Sequence, residues 1–325
     1  MITSRLTDMF SLTVPIVLAP MGAVSGGRLA AAVSNAGGLG MVGGGYGDPA
    51  WLAQELALVK AQTRRPWGAG LITWAATDVV LEQVLAARPD AVMLSFGDPR
   101  RLGRLVNAAG CRLICQVQDR EGAQLALEAG ADLIVAQGTE AGGHGGERAT
   151  FPLVPAIVDL VAPVPVVAAG GIADGRGLAA ALMLGAHGAL IGTRFCATPQ
   201  ALSPPSVKRR LTVAQAEGTV RTRVFDQVRG YAWPTRHTGR ALHNGFVARW
   251  HGHERELDQV LPEQRLAYQR AAASGDCDTA VVWAGEVVDL ITEVEDAAAL
   301  VARIGREAEQ HLVLGSNLVR RGAGN

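Results

Sequence analysis

The stretch VPVVAAGGIADGRGLAAALMLGAHGALIGT, residues 164–193, decides how the chain is read. An apolar, β-branched run (164–171) ends in Gly170 and Gly171. An Ala/Leu-rich amphipathic stretch (175–184) follows, and a second apolar run (187–193) ends in Gly192 and Thr193. Apolar runs this continuous suit strands buried on both faces, and a helix between them implies parallel pairing. The same unit recurs towards the N-terminus. Strands are expected over 14–21, 39–44, 67–72, 91–96, 112–117 and 131–138, and helices over 28–37, 49–62, 78–88, 98–109, 119–129 and 153–161. Eight strands alternating with helices between residues 14 and 193 predict a (β/α)8 TIM barrel rather than an open doubly wound sheet. Gly37, Gly110, Gly130 and Gly185 stand where the helices should end, in left-handed C-terminal positions.

The rhythm stops after about residue 198. TPQALSPPSVKRRL (198–211) carries three prolines and a basic cluster. The stretch 208–275 reads as helical and polar, a smaller lid or cap. Residues 279–313 are amphipathic again, a helix expected to return to the barrel, and the tail RRGAGN (320–325) is expected to fray. The expected organisation is a barrel over 1–204, a helical cap over 205–275 and a returning helix over 276–325.

The bulk numbers bound the function. With 325 residues, 49% of them hydrophobic, the chain can bury a large core. Its formal net charge of zero argues against a nucleic-acid face or an anionic-membrane surface. Cys111, Cys115, Cys196 and Cys277 form no CxxC pair, so they are read as reduced residues of a cytoplasmic protein, without a disulfide framework or metal site. Asp8 and two prolines interrupt the early apolar run, which is therefore not a signal peptide. No apolar run long enough for a membrane helix escapes Pro or Gly breaks.

In such a barrel, chemistry sits at the C-terminal ends of the strands, and phosphate is commonly held after strands 7 and 8. Gly170, Gly171, Gly192 and Thr193 fall there. Glycine lets backbone N–H groups approach phosphate oxygens, and the helix after Asp174 should add partial positive charge. Asp174 also reads as that helix's N-cap, and Arg194 should point away. GGLGMVGGG (37–45) is not a dinucleotide fingerprint, because its strand lies inside the glycine run. AQGTEAGGHGG (136–146) places His144 among glycines after strand 6, with Glu140 beside it either to orient His144 or the loop or to face water, the structural role being preferred. Trp74 and Trp233 are candidate walls of a substrate site. HGHE (251–254) reads as a solvated face, and His237 and His243 are candidates for the cap side of the pocket.

AQGTEAGGHGG (136–146), AAGGIADGRGL (168–178) and LIGTRF (190–195) together resemble the nitronate monooxygenases, FMN-dependent barrels formerly called 2-nitropropane dioxygenases. PIVLAPMG (15–22), AAAVSNAGGLG (30–40), PWGAGLITW (66–74) and GDCDTAVVWAGEVVDLI (275–291) match in order, so the resemblance spans the barrel and the return segment and is vaguer over 205–270. It implies FMN as cofactor, and a nitronate or nitroalkane with O2 as substrates. Ala19, Pro20 and Met21 would lie along the flavin by backbone contacts. Gly70 departs from the family's frequent Asn, which removes one expected flavin hydrogen bond. Gln116 and Gln137 would be polar flavin-side residues, and Gly142 and Gly143 would pass close to the cofactor. Gly170, Gly171, Gly192 and Thr193 would hold the phosphate, and His144 would be the active-site histidine. Enoyl-acyl-carrier reductases and NAD(P)H:quinone reductases share these segments, so an NAD(P)H-dependent reductase of quinones or enoyl thioesters is the alternative. A homodimer is left open.

Overall fold

Residues 1–318 are described by the computed structural model. Its strands are β1 (Ile16–Leu18), β2 (Gly40–Gly43), β3 (Trp67–Ile72), β4 (Ala91–Ser95), β5 (Arg112–Val117), β6 (Leu133–Gln137), β7 (Gly143–Gly145), β8 (Val166–Ala169), β9 (Ala189–Ile191), β10 (Thr219–Thr222) and β11 (Thr238–Leu242). Eight of them form one parallel sheet in the order β1-β9-β8-β6-β5-β4-β3-β2. A parallel bridge between Val17 and Leu39 joins its two edges, with Leu18 N–H donating to Leu39 O at 2.9 Å and Leu39 N–H to Ile16 O at 2.8 Å. The sheet closes as a (β/α)8 TIM barrel, with all eight expected strands in place.

Strand alternation sorts the core into two layers. In β4, Ala91 and Met93 point into the barrel with Val17, Leu39, Met41, Ile114, Leu133, Val135, Val167 and Leu190. Val92 and Leu94 point outward under the helices. The floor is a helix absent from the sequence reading, Arg5–Phe10, whose Leu6 and Phe10 close the barrel interior. Ser4 and Thr7 form a capping box at its start, satisfying two of the amides a helix leaves unpaired. The expected helix ends hold as well: Gly37, Gly110, Gly130 and Gly185 all have φ between +70° and +95°.

The segment over 205–275 is not purely helical. β10 and β11 pair antiparallel within it, and β11 pairs with β7, which lies in the glycine stretch after β6. The helices Val224–Arg229, Gly245–Trp250, Glu254–Gln259 and Leu261–Ser274 pack beside this small sheet around Phe225, Phe246, Val247, Trp250, Leu257 and Tyr268. The return helix is shorter than expected, spanning Ala297–Ser316. Residues 281–285 instead lie along the cap sheet, with an Ala241–Trp283 bridge. The helix does return to the barrel: Glu307 accepts from Gly175 N–H at 3.0 Å. The tail 320–325 lies outside the described residues. Among the described residues no helix is long and apolar enough to cross a membrane.

Candidate active site

At the C-terminal mouth of the barrel lies a cavity of about 320 Å³. All thirteen site residues expected from the sequence line it: Ala19, Pro20, Met21, Gly70, Gln116, Gln137, Gly142, Gly143, His144, Gly170, Gly171, Gly192 and Thr193. Its size falls in the range of cofactor and small-molecule sites.

His144 sits on β7, and its position is set by the pairing of that strand. Gly239 of β11 is its register partner, and Gln137 Nε2 donates to the His144 carbonyl at 3.0 Å. Gln137 in turn accepts from Gln116 at 3.0 Å and from Gln118 at 2.8 Å, so the glutamines form a small network under the loop. The glycines around His144 mostly serve packing. A Cβ on Gly138 would overlap Thr150, and one on Gly142 would stand 2.6 Å from the Ala284–Gly285 backbone. Gly143, at φ +70°, has open space where a Cβ would be. Glu140 is structural, as read. Its carboxylate accepts from Thr150 N–H at 3.0 Å and from the Thr150 hydroxyl at 2.7 Å, capping the helix Thr150–Val161.

The ring of His144 is held on two sides. Nε2 lies 2.9 Å from both carboxylate oxygens of Asp226. The indole of Trp233 stacks on its face, with centroids 3.5 Å apart and planes 4° from parallel. Trp233 Nε1 donates to the Tyr46 hydroxyl at 2.9 Å, so the indole is fixed too. His144 is 9% exposed and Asp226 4%. Burial pushes the His144 pKa below its ordinary value, and the Asp226 carboxylate only partly opposes this. A neutral ring that donates Nε2–H to Asp226 carries its lone pair on Nδ1, for which no partner is present among the described residues.

The glycine turns after β8 and β9 are open donors. The amides of Gly171, Ile172, Gly192 and Thr193 donate to no acceptor among the described residues. Unpaired backbone N–H groups are uncommon in a folded chain, and a cluster of them suits an anion with several oxygens. Thr193 Oγ1 accepts from Gly285 N–H at 3.0 Å, which leaves its own O–H to donate. The first amides of the helix Gly175–Met183 are taken by protein carboxylates, so that helix offers the turn its partial charge and not its free N–H groups. Asp174 accepts from Arg176 N–H and Gly177 N–H, and Glu307 takes Gly175 N–H. Arg194 does point away: it is 2% exposed and pairs with Glu295 at 2.8 Å.

Gly70 has a packing reason. A Cβ there would overlap the Pro20 ring, so the proline occupies the room in which a side chain at position 70 would stand. Trp233 walls the cavity, with Trp74 packed behind it at 5.3 Å. His237 is 3% exposed and packed against Phe96 and Trp233, His243 is exposed, and His251 and His253 are exposed as expected. Sequence reasoning missed Asp226, Arg229, Tyr46 and Trp283. VFDQVRG (224–230) has a carboxylate and a guanidinium three residues apart but no motif that marks either.

Comparison with known proteins identifies the family. A family model described as nitronate monooxygenase matches residues 3–78 and 71–307. The chain belongs to the nitronate monooxygenase family. A nitronate monooxygenase of Neurospora crassa is 34% identical, aligning 91% of this chain with 89% of that one. A Mycobacterium tuberculosis protein named as the dehydrogenase of a 5-hydroxy-7a-methyl-1-oxo-octahydro-indene-4-carboxyl-CoA is 32% identical, covering 97% of this chain and 98% of its own. The structure of FabK from Thermotoga maritima superposes with a TM-score of 0.88 at 31% identity, over 98% of this chain and all of that one. Membership makes this chain an oxidoreductase.

Proposed function

We propose that the protein is an FMN-dependent nitronate monooxygenase that also accepts neutral nitroalkanes. The observation that carries the reading is the pair His144–Asp226 at 2.9 Å, held at the mouth of a barrel whose next two turns present unpaired amides. The donor set fits the phosphate of FMN: the amides of Gly171, Ile172, Gly192 and Thr193 and the Thr193 hydroxyl would hold it, with the flavin against Ala19–Met21 and Gly143. FMN, when bound, supplies the electron acceptor for the substrate and the route to O2.

The chain's own residues handle the proton and the charge. A neutral nitroalkane must lose the proton on the carbon bearing the nitro group. The free Nδ1 of His144 accepts it, while Asp226 holds Nε2–H and stabilises the imidazolium that forms. A nitronate arrives already deprotonated and needs no base. The stretch 205–275 acts in this reading as a cap over the mouth, delivering Asp226, Arg229 and Trp233.

The relative from Mycobacterium tuberculosis, named as a dehydrogenase of a carboxyl-CoA, favours a second reading in which the substrate is a thioester; in that reading we take nicotinamide as the reductant of the flavin. Oxygen uptake separates them. Uptake driven by an alkyl nitronate without NADH or NADPH supports the first reading. Uptake or acceptor reduction that requires NAD(P)H supports the second.

A further inference from the structure

The helix Val224–Arg229 carries two charged side chains at this site, Asp226, buried against the His144 ring, and Arg229, which lines the cavity. Asp226 is used by His144. No carboxylate lies within ion-pair distance of Arg229, three residues on, among the described residues. Its guanidinium donates no hydrogen bond to the described protein either. What surrounds it is aromatic: its Cζ lies 4.8 Å from the ring centre of Tyr231, 5.8 Å from Tyr46 and 5.9 Å from Trp283. Tyr46 and Tyr231 stack on each other at 3.7 Å, which fixes the wall beside the cation.

Stacking on aromatic faces steadies a guanidinium but leaves its five N–H donors, which lie in its own plane, unused. A cation with unused planar donors, in an apolar aromatic cavity beside a base, is built to receive a planar anion. The same charge acts on the reacting histidine, since Arg229 is among the groups that hold the His144 ring neutral.

We propose that Arg229 is the anchor for the two-oxygen end of the substrate, so that the site takes substrates as planar oxyanions or as groups that become so. This rests on the reading that the cavity receives the substrate of His144. It narrows the substrate class to carbon acids whose conjugate base places its charge on oxygen. When Nδ1 of His144 takes the proton, the electron pair of the broken C–H bond moves onto those oxygens, which face Arg229. A substrate that enters already deprotonated meets the same cation on binding.

The test uses the flavin-loaded protein and two redox-inert probes of one skeleton, butanoate and butanamide, titrated by calorimetry into wild type, Arg229→Gln and Arg229→Lys. The expected result is butanoate binding weakened about ten- to a hundredfold in Arg229→Gln, with butanamide changed by less than about threefold. Arg229→Lys keeps the charge and should retain the preference for butanoate. Equal butanoate affinity in wild type and Arg229→Gln, equal loss of both probes, or no butanoate binding to wild type would each overturn the proposal. Nitronate-driven oxygen uptake, read separately, shows whether the functional reading stands, so either can fail alone.

Discussion

Asp226 and His144, 82 residues apart in the chain, meet with both carboxylate oxygens 2.9 Å from one imidazole nitrogen. The contact joins the cap to the barrel mouth and selects the ring tautomer that leaves Nδ1 as the acceptor. Asp226→Asn replaces that acceptor with an amide that can donate to Nε2 instead. The expected loss in kcat/KM on neutral nitroalkanes is about 10²- to 10⁴-fold, with a much smaller loss on preformed nitronates. Steady-state kinetics on a nitroalkane and its conjugate nitronate, with flavin content measured alongside, check this. His144→Asn should show the same asymmetry.

The pH profile carries the sign of the His144 environment. Burial lowers its pKa, and the base must be neutral to act. The acid limb of kcat/KM for a nitroalkane is therefore expected below about pH 6.5, the ordinary histidine value. A limb above that value would mean that the Asp226 pair outweighs burial.

His237 should make the fold acid-sensitive. It is 3% exposed, neither ring nitrogen has a partner among the described residues, and burial pushes its pKa down to about 4. The unfolded chain binds a proton on this ring near pH 6.5, and the folded chain only near pH 4. Between those values the unfolded state holds more protons, so stability falls as pH is lowered. His237→Leu should raise stability by about 1–3 kcal/mol by removing unpaired buried polar atoms. Its advantage should grow from pH 6.5 towards 4, read by thermal unfolding across that range.

Gly70→Asn, the residue frequent in the resembling family, should not add a flavin contact here. Its side chain must displace the Pro20 ring. The expected cost is about 1–3 kcal/mol of stability, with lower flavin content. Thermal unfolding and the flavin-to-protein ratio measure both.

The barrel was legible because its signals are local. Apolar runs, helix-ending glycines and the Gly170–Gly171 and Gly192–Thr193 turns each depend on a few neighbouring residues. The cap sheet was not. β7 is Gly143-His144-Gly145, which has no strand propensity, and it pairs with Thr238–Arg240 only because the cap folds back over the mouth. Asp226 and Arg229 were hidden for the same reason, since their partners lie far away in sequence or around a cavity. The N-terminal helix Arg5–Phe10 was overlooked because three apolar residues on a six-residue helix carry little periodic signal.

The central claim is that substrate electrons enter a bound flavin in the cavity beside His144, without nicotinamide. Anaerobic mixing of the purified, flavin-loaded protein with an alkyl nitronate tests it most directly, followed through the visible flavin absorption. The account predicts that the absorption bleaches with the nitronate alone and returns on admitting oxygen. No change with the nitronate, together with rapid bleaching by NADH or NADPH, would contradict it.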